Sequence, residues 1–398
     1  MFKKEFENQY HFSIGAIFKD EYEYVLEWIS WHLMCGFEHF YIADNGSSDG
    51  TVELLEALSE LGLVTIIYQE QKLKCQLDAY SKILKKAMLN NHEILFIDAD
   101  EFIYSNINIT GFFTKIFNEN FNIGAMAFNW KVFGSSGHVD KVNDLVLRRF
   151  TKHSNQDMPQ THFIKSLVRP HAVTQMRVHH AQLKNGYDYV NAIGEKLTFI
   201  NGKNQVIDEP SGLTFQVIED PISIHHYVVK SKQEYNDKKR RRGDAMIGSD
   251  HDRGEAYFNI HDRNDREFLL DGIDFEKLED TISSLELRLS NETNLGSDFS
   301  GHIDACNDRF VRGWVYAENS KSSRPLKVNI FVNGIYIDSI FANGFRKDLK
   351  KKFGTSGNYS FHYTFPKRLN NLDKVLIRPV SSAFQFPPRP MVVESGQY

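Results

Sequence analysis

The sequence predicts an α/β fold: a doubly wound sheet with helices on both faces, followed by a linker helix and a small all-β module. Strand and helix patterns alternate through the first hundred residues, an amphipathic stripe lies near residue 280, and an Asn-Gly pair marks a hairpin near residue 333. We therefore expect a large α/β domain over residues 1–270, a helix and linker over 271–299, and the all-β module over 300–398.

The alternation comes from short apolar runs separated by helical stripes and turn residues. The segments are a strand over 12–18, a helix over 22–34, a strand over 39–43, a helix over 51–61, a strand over 63–68, a helix over 73–89 and a strand over 94–97. Alternation of this kind predicts parallel strands joined by right-handed crossovers.

The C-terminal third has a different character. Leu278, Ile282, Leu285 and Leu289 recur at helical spacing, which predicts an amphipathic helix, and residues 291–301 form a polar linker. Strand patterns over 327–332 and 335–340 then flank an Asn-Gly turn, a strong signal for a β-hairpin.

Composition excludes several classes of protein. The 398 residues are 41% hydrophobic and carry a formal net charge of -5, so a sizeable core is expected and nucleic acid is not an expected partner. The three cysteines are far apart, which argues against a disulfide framework or structural zinc. No apolar run approaches the ~18 residues of a membrane-spanning helix. We expect a cytoplasmic protein whose contact with a membrane, if any, is peripheral.

Three carboxylates, those of Asp98, Asp100 and Glu101, directly follow a buried strand. In open α/β sheets, ligands gather beyond the carboxyl ends of the strands. Crowded anions repel each other unless a cation neutralises them, and carboxylate oxygens suit Mg²⁺ or Mn²⁺ bridging to a diphosphate. By itself, the triplet is equally compatible with a solvated acidic turn.

A loop rich in glycine, serine and aspartate follows the second predicted strand. Residues 44–51 have the composition of a tight turn that caps the next helix. Without further context, a turn and N-cap is the favoured interpretation.

The order and spacing of these segments resemble the GT-A glycosyltransferases, most closely the family 2-like and family 92 group. The matching segments are Lys19-Asp20-Glu21, Glu27-Trp28 with His32, residues 44–51, and Asp98-Ala99-Asp100-Glu101-Phe102. Further matches are residues 129–138, 165–170 and 224–227, followed by Lys230, Ser231, Glu234 and Lys238. The resemblance covers about the first 245 residues. Separately, residues 313–315 and 342–346 resemble a small β-sandwich module found appended to bacterial glycosyltransferases, which implies that the all-β module over 300–398 is such a sandwich. Asp20 replaces the asparagine of the usual Lys-Asn-Glu motif, so a role for an amide there does not carry over.

The resemblance implies a donor pocket for a uridine-linked nucleotide sugar. It places Lys19, Glu21 and Asp44 at the donor. Gln76 and Tyr80, one helical turn apart on the third helix, are further candidates for the same pocket.

The resemblance also implies a bound Mn²⁺ or Mg²⁺. Asp100 would bind the metal directly, and Asp98 would reach the ribose, or the metal through water. Two histidine pairs, at 179–180 and 225–226, offer a further ligand, and only one member of each pair can face a given site because strand residues alternate. His226 matches the family position, while a structural, hydrogen-bonded histidine is the alternative.

Five consecutive cations occupy residues 238–242. Lys238 and Arg242, four apart, are the pair best spaced to meet a departing diphosphate on one helix face. A solvated helix face, or a patch for acidic lipid headgroups, is the alternative.

The acceptor site is less defined. Trp130, Phe133, Ser135 and His138 are candidates, because an aromatic face can stack on a sugar and the glycines of residues 134–137 permit close approach. A core aromatic cluster with an ordinary turn is the alternative.

The catalytic base of an inverting transfer cannot be a metal ligand. Glu101 could serve as that base, or could orient the site through hydrogen bonds. The other acids in this half, Asp140, Asp157, Asp188 and Glu195, lie in no motif that singles one out.

The function implied is a metal-dependent, inverting hexosyltransferase, with galactose the sugar that family analogy favours. It would transfer from UDP-sugar to a glycan or glycolipid acceptor in bacterial surface polysaccharide or lipopolysaccharide synthesis, and a homo-oligomer is left open. A catalytically silent glycan-binding or scaffold protein on the same fold is the alternative. A metal phosphohydrolase is less favoured, because no further ligand cluster lies near the triplet.

Overall fold

The computed structural model describes residues 10–69, 74–240 and 252–393. Its helices are α1 (Tyr22–Met34), α2 (Thr51–Glu60), α3 (Cys75–Leu89), α4 (Ile109–Glu119), α5 (Val146–Arg149), α6 (Lys232–Glu234), α7 (Gly254–His261), α8 (Phe275–Glu292) and α9 (Lys347–Phe353). A π-helical turn (Tyr235–Lys239) continues α6, and short 3₁₀ turns cover Pro159–His162, Pro170–Ala172 and Leu270–Gly272.

The strands of the first part of the chain are β1 (His11–Phe18), β2 (His39–Asp44), β3 (Val64–Tyr68), β4 (His92–Phe96), β5 (Glu101–Ser105), β6 (Ile123–Val132), β7 (Lys152–His153), β8 (Ile164–Val168), β9 (Val173–Met176), β10 (Ala181–Leu183), β11 (Asp188–Val190), β12 (Phe199–Ile200), β13 (Val206–Ile207), β14 (Ile222–His226) and β15 (Arg266–Glu267). Those of the last part are β16 (Asp298–Cys306), β17 (Phe310–Glu318), β18 (Lys327–Val332), β19 (Ile335–Phe341), β20 (Gly344–Phe345), β21 (Asn358–Thr364), β22 (Lys374–Pro379) and β23 (Phe386–Val392).

A large mixed sheet holds the first part of the chain together, in the order β3-β2-β1-β4-β8-β6-β14-β5. β1 runs parallel to β2 and β4, as the strand-helix alternation predicts. Beyond β4 the sheet is mixed, because β8 is antiparallel to β4 and β6, and β14 is antiparallel to β5. The purely parallel prediction therefore fails there. That prediction rested on the first hundred residues, which contain β1 to β4, whereas every antiparallel pair of this sheet includes β5, β8 or β14 from later in the chain.

The core under this sheet positions α3. Ala79, Tyr80 and Ile83 on the helix are fully buried against Ile94 and Phe96 of β4. Burial of apolar surface at about 25 cal/mol per Å² fixes the helix on the sheet. Its first turn therefore lies beside the residues that follow β4.

The predicted elements of the first hundred residues are confirmed, with ends that differ by at most three residues where the structure describes them. The predicted amphipathic helix is also confirmed, as α8, and the hairpin as β18 and β19. The predicted linker over 291–301 is wrong in extent. Since α8 reaches Glu292 and β16 begins at Asp298, only residues 293–297 separate them.

Residue contacts divide the chain into two compact units. One contains residues 1–46 and 65–282, and the other contains residues 47–64 and 283–398. In the described part of the second unit, two four-stranded sheets, in the orders β16-β17-β21-β20 and β19-β18-β22-β23, share one apolar core. This unit also contains α2, where the buried Glu56 accepts hydrogen bonds from Asn329 Nδ2 at 2.8 Å and Ser381 N at 2.7 Å.

Two expectations from composition concern the whole chain. Among the described residues, no helix has the length and apolar character needed to cross a membrane. The thiols of Cys35, Cys75 and Cys306 are all free.

Candidate functional site

The candidate site lies where β1, β2 and β4 end at the same edge of the sheet. In the parallel register, Phe18 is opposite Asp44, and Gly15 is opposite Phe96. The residues that follow these strands are therefore brought together, as expected for the carboxyl edge of an open α/β sheet. Asp98 and Asp100 lie in the turn from β4 to β5, and Glu101 begins β5.

Asp98 is held by side chains from two other elements. Its Oδ1 accepts hydrogen bonds from Gln76 Nε2 at 2.8 Å and from Tyr80 Oη at 3.2 Å, both on α3. Its Oδ2 lies 2.7 Å from the ammonium of Lys165 on β8. Gln76 and Tyr80, which were predicted to line the donor pocket, thus contact the acidic turn. Lys165, to which the sequence assigned no role, contacts the same carboxylate.

Glu101 shares the same buried lysine. Its Oε2 lies 3.3 Å from Lys165 Nζ and accepts a hydrogen bond from the backbone N–H of Asp98 at 2.8 Å. The side chains of Glu101 and Lys165 have no exposed surface, whereas that of Asp98 is 29% exposed. This placement favours an orienting role for Glu101 over the alternative role of catalytic base.

Burial and the lysine act in opposite directions on the two acids. Burial alone would raise the pKa of Asp98, but the ammonium of Lys165 holds it below its usual value. Burial raises the pKa of Glu101 to about 7, although Lys165 opposes that rise. Burial would lower the pKa of Lys165, but the two acids raise it, so the lysine is charged at neutral pH.

Asp100 faces a different set of groups. Its Oδ1 lies 3.6 Å from Nε2 of His226, and its Oδ2 forms an ion pair with Lys239. The pairing of β14 with β5 produces the first contact, because it sets His226 opposite Glu101. Burial would raise the pKa of Asp100, but Lys239 and His226 hold it well below its usual value.

The two neighbouring histidines point in opposite directions, as strand alternation predicts. The ring of His225 packs against Tyr104 and Phe133 at centroid distances of 4.7 Å and is fully buried. The ring of His226 instead packs against Trp130 at 4.4 Å and faces Asp100. Only His226 can therefore reach the acidic turn.

Asp100 and His226 offer an oxygen and a nitrogen that one divalent cation could bind together. Across residues 10–69, 74–240 and 252–393, no three His, Cys, Asp or Glu side chains are grouped so as to hold a metal ion. The pair fits a metal whose other ligands come from a bound substrate or from water. Asp98, the other predicted ligand, already has partners at both carboxylate oxygens.

The other donor candidates lie at the same edge of the sheet. Burial raises the pKa of the Cys75 thiol, and Asn45 and Lys19 are among the groups that oppose this rise, which places Lys19 beside the start of α3. Asp44 is buried and accepts a hydrogen bond from the N–H of Gly46 at 2.9 Å.

A cavity of about 30 Å³ adjoins the acidic turn, and its lining residues include Asp100, Glu21, Lys238 and Lys239. This volume suits a single water molecule and cannot hold a nucleotide. The cavity shows that the loop after β1 and the segment after β14 meet at the acidic turn.

The basic run differs from its prediction. Lys238 donates a hydrogen bond to the carbonyl of Asp20 at 3.1 Å, and Lys239, which the sequence did not single out, contacts Asp100. The prediction assumed α-helical spacing, but residues 235–239 form a π-helical turn, which changes the register of the side chains. Arg242, the other predicted member, lies outside the described residues.

The segment that carries these lysines is anchored by Glu234. The side chains of Ser231 and Glu234 form a capping box at the start of α6. The Glu234 carboxylate also accepts hydrogen bonds from Tyr24 Oη at 2.6 Å and from Arg149 at 2.9 and 3.0 Å. Burial would raise the pKa of Glu234, but these bonds lower it to about 2.

The acceptor candidates divide into two groups. Trp130 packs against His226 near the acidic turn, and its buried Nε1 has no hydrogen-bond partner among the described residues. Phe133 is fully buried. It therefore occupies a core position, which is the alternative to an acceptor-binding role. Ser135 Oγ accepts a hydrogen bond from the backbone of Gly137, and His138 Nε2 lies 3.0 Å from the carbonyl of Arg149.

The glycine turn is approached by the protein's own backbone. A Cβ on Gly134 would lie 2.4 Å from the carbonyl oxygen of Arg263, so no other residue fits there. The close approach predicted for this turn is therefore made by the chain itself.

Taken together, the edge of the sheet provides the carboxylates of Asp98 and Asp100, the imidazole of His226 and the ammonium groups of Lys238 and Lys239 around one acidic turn. Such a site can bind an anionic ligand through a metal and through ammonium groups at the same time. Its remaining acid, Glu101, is turned inward.

Comparisons with known proteins agree on one family. The sequence model of Glycosyltransferase family 92 matches residues 9–244. A glycosyltransferase family 92 protein of Oryza sativa subsp. japonica is 28% identical over 240 residues, which are 58% of this chain and 39% of that protein. One of Ricinus communis is 25% identical over 205 residues, 50% of this chain and 36% of that protein. The chain thus spans less than two fifths of the length of these relatives.

Two solved structures of S. aureus TarS are also similar. TarS 1-349 in complex with UDP is 17% identical, with a TM-score of 0.27 over 40% of this chain and 47% of that chain. A longer TarS structure is 10% identical, with a TM-score of 0.28 over 96% of this chain and 77% of that chain.

Proposed function

The chain belongs to glycosyltransferase family 92, and from that premise we propose that it transfers a hexose from a UDP-sugar to a glycan or glycolipid, with inversion and with the help of Mn²⁺ or Mg²⁺. The observation that carries the proposal is the meeting of Asp98, Asp100 and His226 at the carboxyl end of β4. A sugar diphosphate bound at this edge would meet cations on one side and hydrogen-bond acceptors on the other.

In this proposal, Asp100 and His226 would hold the metal, and the metal would supply positive charge to a leaving diphosphate. Lys239 is paired with Asp100 and is partly exposed, so it can turn from that carboxylate to a phosphate oxygen. Lys238 lines the same small cavity as Lys239 and adds positive charge there, while its ammonium donates a hydrogen bond to the carbonyl of Asp20.

Asp98 has a different role in this proposal. Its carboxylate is fixed by Lys165, Gln76 and Tyr80 and still exposes part of its surface. An ionised carboxylate only accepts hydrogen bonds, so it suits a hydroxyl of the donor. Lys19, Glu21 and Asp44 complete the donor pocket along the ends of β1 and β2.

Galactose is the sugar that family analogy favours, and synthesis of a bacterial surface polysaccharide or lipopolysaccharide at the inner face of the membrane is the proposed setting. Residues 1–270 would form the catalytic domain, and residues 300–398 an accessory β-sandwich module. The second unit contributes none of the acids, histidines or lysines argued above.

A thermal-shift screen of nucleotides tests this proposal. UDP should raise the melting temperature in the presence of Mn²⁺ and much less in the presence of a chelator, because the metal joins the acidic turn to the diphosphate. ADP and inorganic phosphate are the matched controls, which separate recognition of the base from binding of any phosphate. Equal shifts for UDP with metal and with chelator would contradict the proposed metal dependence. The absence of any shift with UDP or UDP-sugars would contradict a UDP-sugar as the donor.

A further inference from the structure

We propose that Lys165 is a positioning residue of the donor site. It acts as an internal cation that neutralises Asp98 and Glu101 from within the sheet, and it leaves Asp100 as the acid of the triplet available to a metal. This inference rests on the proposed function and deepens it, because it divides the acidic triplet into a structural part and a ligand-binding part.

The contacts that carry the inference are short and buried. Lys165 Nζ lies 2.7 Å from Asp98 Oδ2 and 3.3 Å from Glu101 Oε2, and its side chain has no exposed surface. β8, which carries Lys165, pairs with β4, the strand that leads into the acidic turn. The lysine therefore reaches the turn from a neighbouring strand.

A cation at this place resolves the crowding of the triplet. Three carboxylates lie within four residues, and Glu101 is fully buried, where an uncompensated charge is costly. Lys239 neutralises Asp100 from a partly exposed segment, so a metal can replace it. Lys165 cannot be replaced in this way, because it is enclosed by the sheet.

The lysine also fixes the direction of Asp98. One carboxylate oxygen is held by Lys165 and the other by Gln76 and Tyr80, so the side chain has a single orientation. Supporting groups of this kind typically change the affinity of a site by 10- to 100-fold when they are removed. Lys165 would thus control donor binding without touching the donor.

The test uses the full chain with paired substitutions. Lys165→Met alone would leave the carboxyl groups of Asp98 and Glu101 without their shared cation and is expected to fold poorly. The double variant Lys165→Met with Glu101→Gln removes one positive and one negative charge together, so the formal charge of the chain is unchanged. Its affinity for UDP in the presence of Mn²⁺, measured by isothermal titration calorimetry, should fall by about 10- to 100-fold.

The matched control removes another buried pair from the same region of the sheet. Arg169 and Glu93 lie 3.8 Å apart, and Glu93 is on β4 at the end away from the acidic turn. Arg169→Met with Glu93→Gln also removes hydrogen bonds to Phe117 and Phe121, so it should destabilise the fold at least as much. It should leave the affinity for UDP within about threefold of the wild-type value.

A second measurement shows whether Lys165 acts through Asp98. Asp98→Asn should weaken UDP binding by itself, and adding the Lys165→Met and Glu101→Gln pair to it should weaken binding no further, because the group being positioned has already been changed. Fully additive losses would overturn the inference.

A folded double variant that binds UDP within threefold of wild type would also overturn the inference. So would a double variant that unfolds while the Arg169 control folds, because Lys165 would then be a purely structural residue. A wild-type chain that does not bind UDP would instead contradict the proposed function.

Discussion

Replacing Glu234 by glutamine should destabilise the first unit, and the effect should depend on pH in a defined direction. The carboxylate is 4% exposed, accepts two hydrogen bonds from Arg149, and bonds Ser231 in the capping box of α6. Glutamine has nearly the same shape but carries no charge, so the variant leaves the Arg149 guanidinium buried without its counter-ion.

The lowered pKa of Glu234 gives the size of the expected loss in the free energy of unfolding. A lowering from 4.5 to about 2 corresponds to about 3 kcal/mol, at about 1.4 kcal/mol for each tenfold change in proton affinity. Breaking a buried ion pair by removing one partner typically costs 3–5 kcal/mol, which agrees with this value. We expect Glu234→Gln to lower the free energy of unfolding by about 3 kcal/mol at pH 7.

The direction in which this stability difference changes with pH follows from the direction of the pKa shift. Because the folded state lowers the pKa of Glu234, its contribution is fully present above pH 4.5 and is lost as the pH falls towards about 2. The difference between wild type and Glu234→Gln should therefore be largest at pH 7 and should shrink as the pH falls from about 5 to 2.

Urea denaturation followed by tryptophan fluorescence measures this difference, since Trp28, Trp31 and Trp130 all lie in the first unit. Glu255→Gln is the matched control, because Glu255 also pairs with a residue of α6, Lys232, but is 57% exposed. An exposed pair contributes about 0–1 kcal/mol. A Glu234→Gln variant within 1 kcal/mol of wild type at pH 7, or a difference that grows as the pH falls, would refute the reasoning.

Two further predictions concern the acidic turn. His226→Ala should weaken Mn²⁺ binding in the presence of UDP by about 10- to 100-fold or more, whereas His225→Ala should change it much less. Electron paramagnetic resonance of free Mn²⁺ measures both affinities. The reverse order would show that His225, and not His226, serves the metal. Glu101→Gln should lower the melting temperature but keep the rate of sugar transfer within about tenfold of wild type, because the carboxylate is buried beside Lys165. A loss of about 10²- to 10⁴-fold in that rate without unfolding would instead identify Glu101 as the catalytic base.

The local features of the fold could be predicted from the sequence because they depend on local pattern. The limits of α1 follow from its apolar stripe, and the opposite directions of His225 and His226 follow from strand alternation. Helical spacing also places Gln76 and Tyr80 on one side of α3, but their contact with Asp98 depends on how α3 packs on the sheet.

Features that depend on distant pairing could not be predicted. A lysine within a short strand carries no sign that two acids will surround it, so Lys165 was placed only in a basic strand without a role. Lys239 was missed because the π-helical turn has no recognised sequence signal. Similarly, nothing near Glu56 shows that its hydrogen-bond partners are Asn329 and Ser381, far along the chain.

The most direct test of the central claim is the release of UDP from UDP-galactose by the full chain, with Mn²⁺ or with chelator, in wild type and in Asp100→Asn. We expect release that requires the metal and falls at least about 100-fold in Asp100→Asn, since the change removes a metal ligand and a negative charge. Circular dichroism should show that the variant is folded, although it also loses the ion pair with Lys239. Release that continues unchanged in chelator, or in a folded Asp100→Asn variant, would contradict a metal-dependent transferase site at the acidic turn.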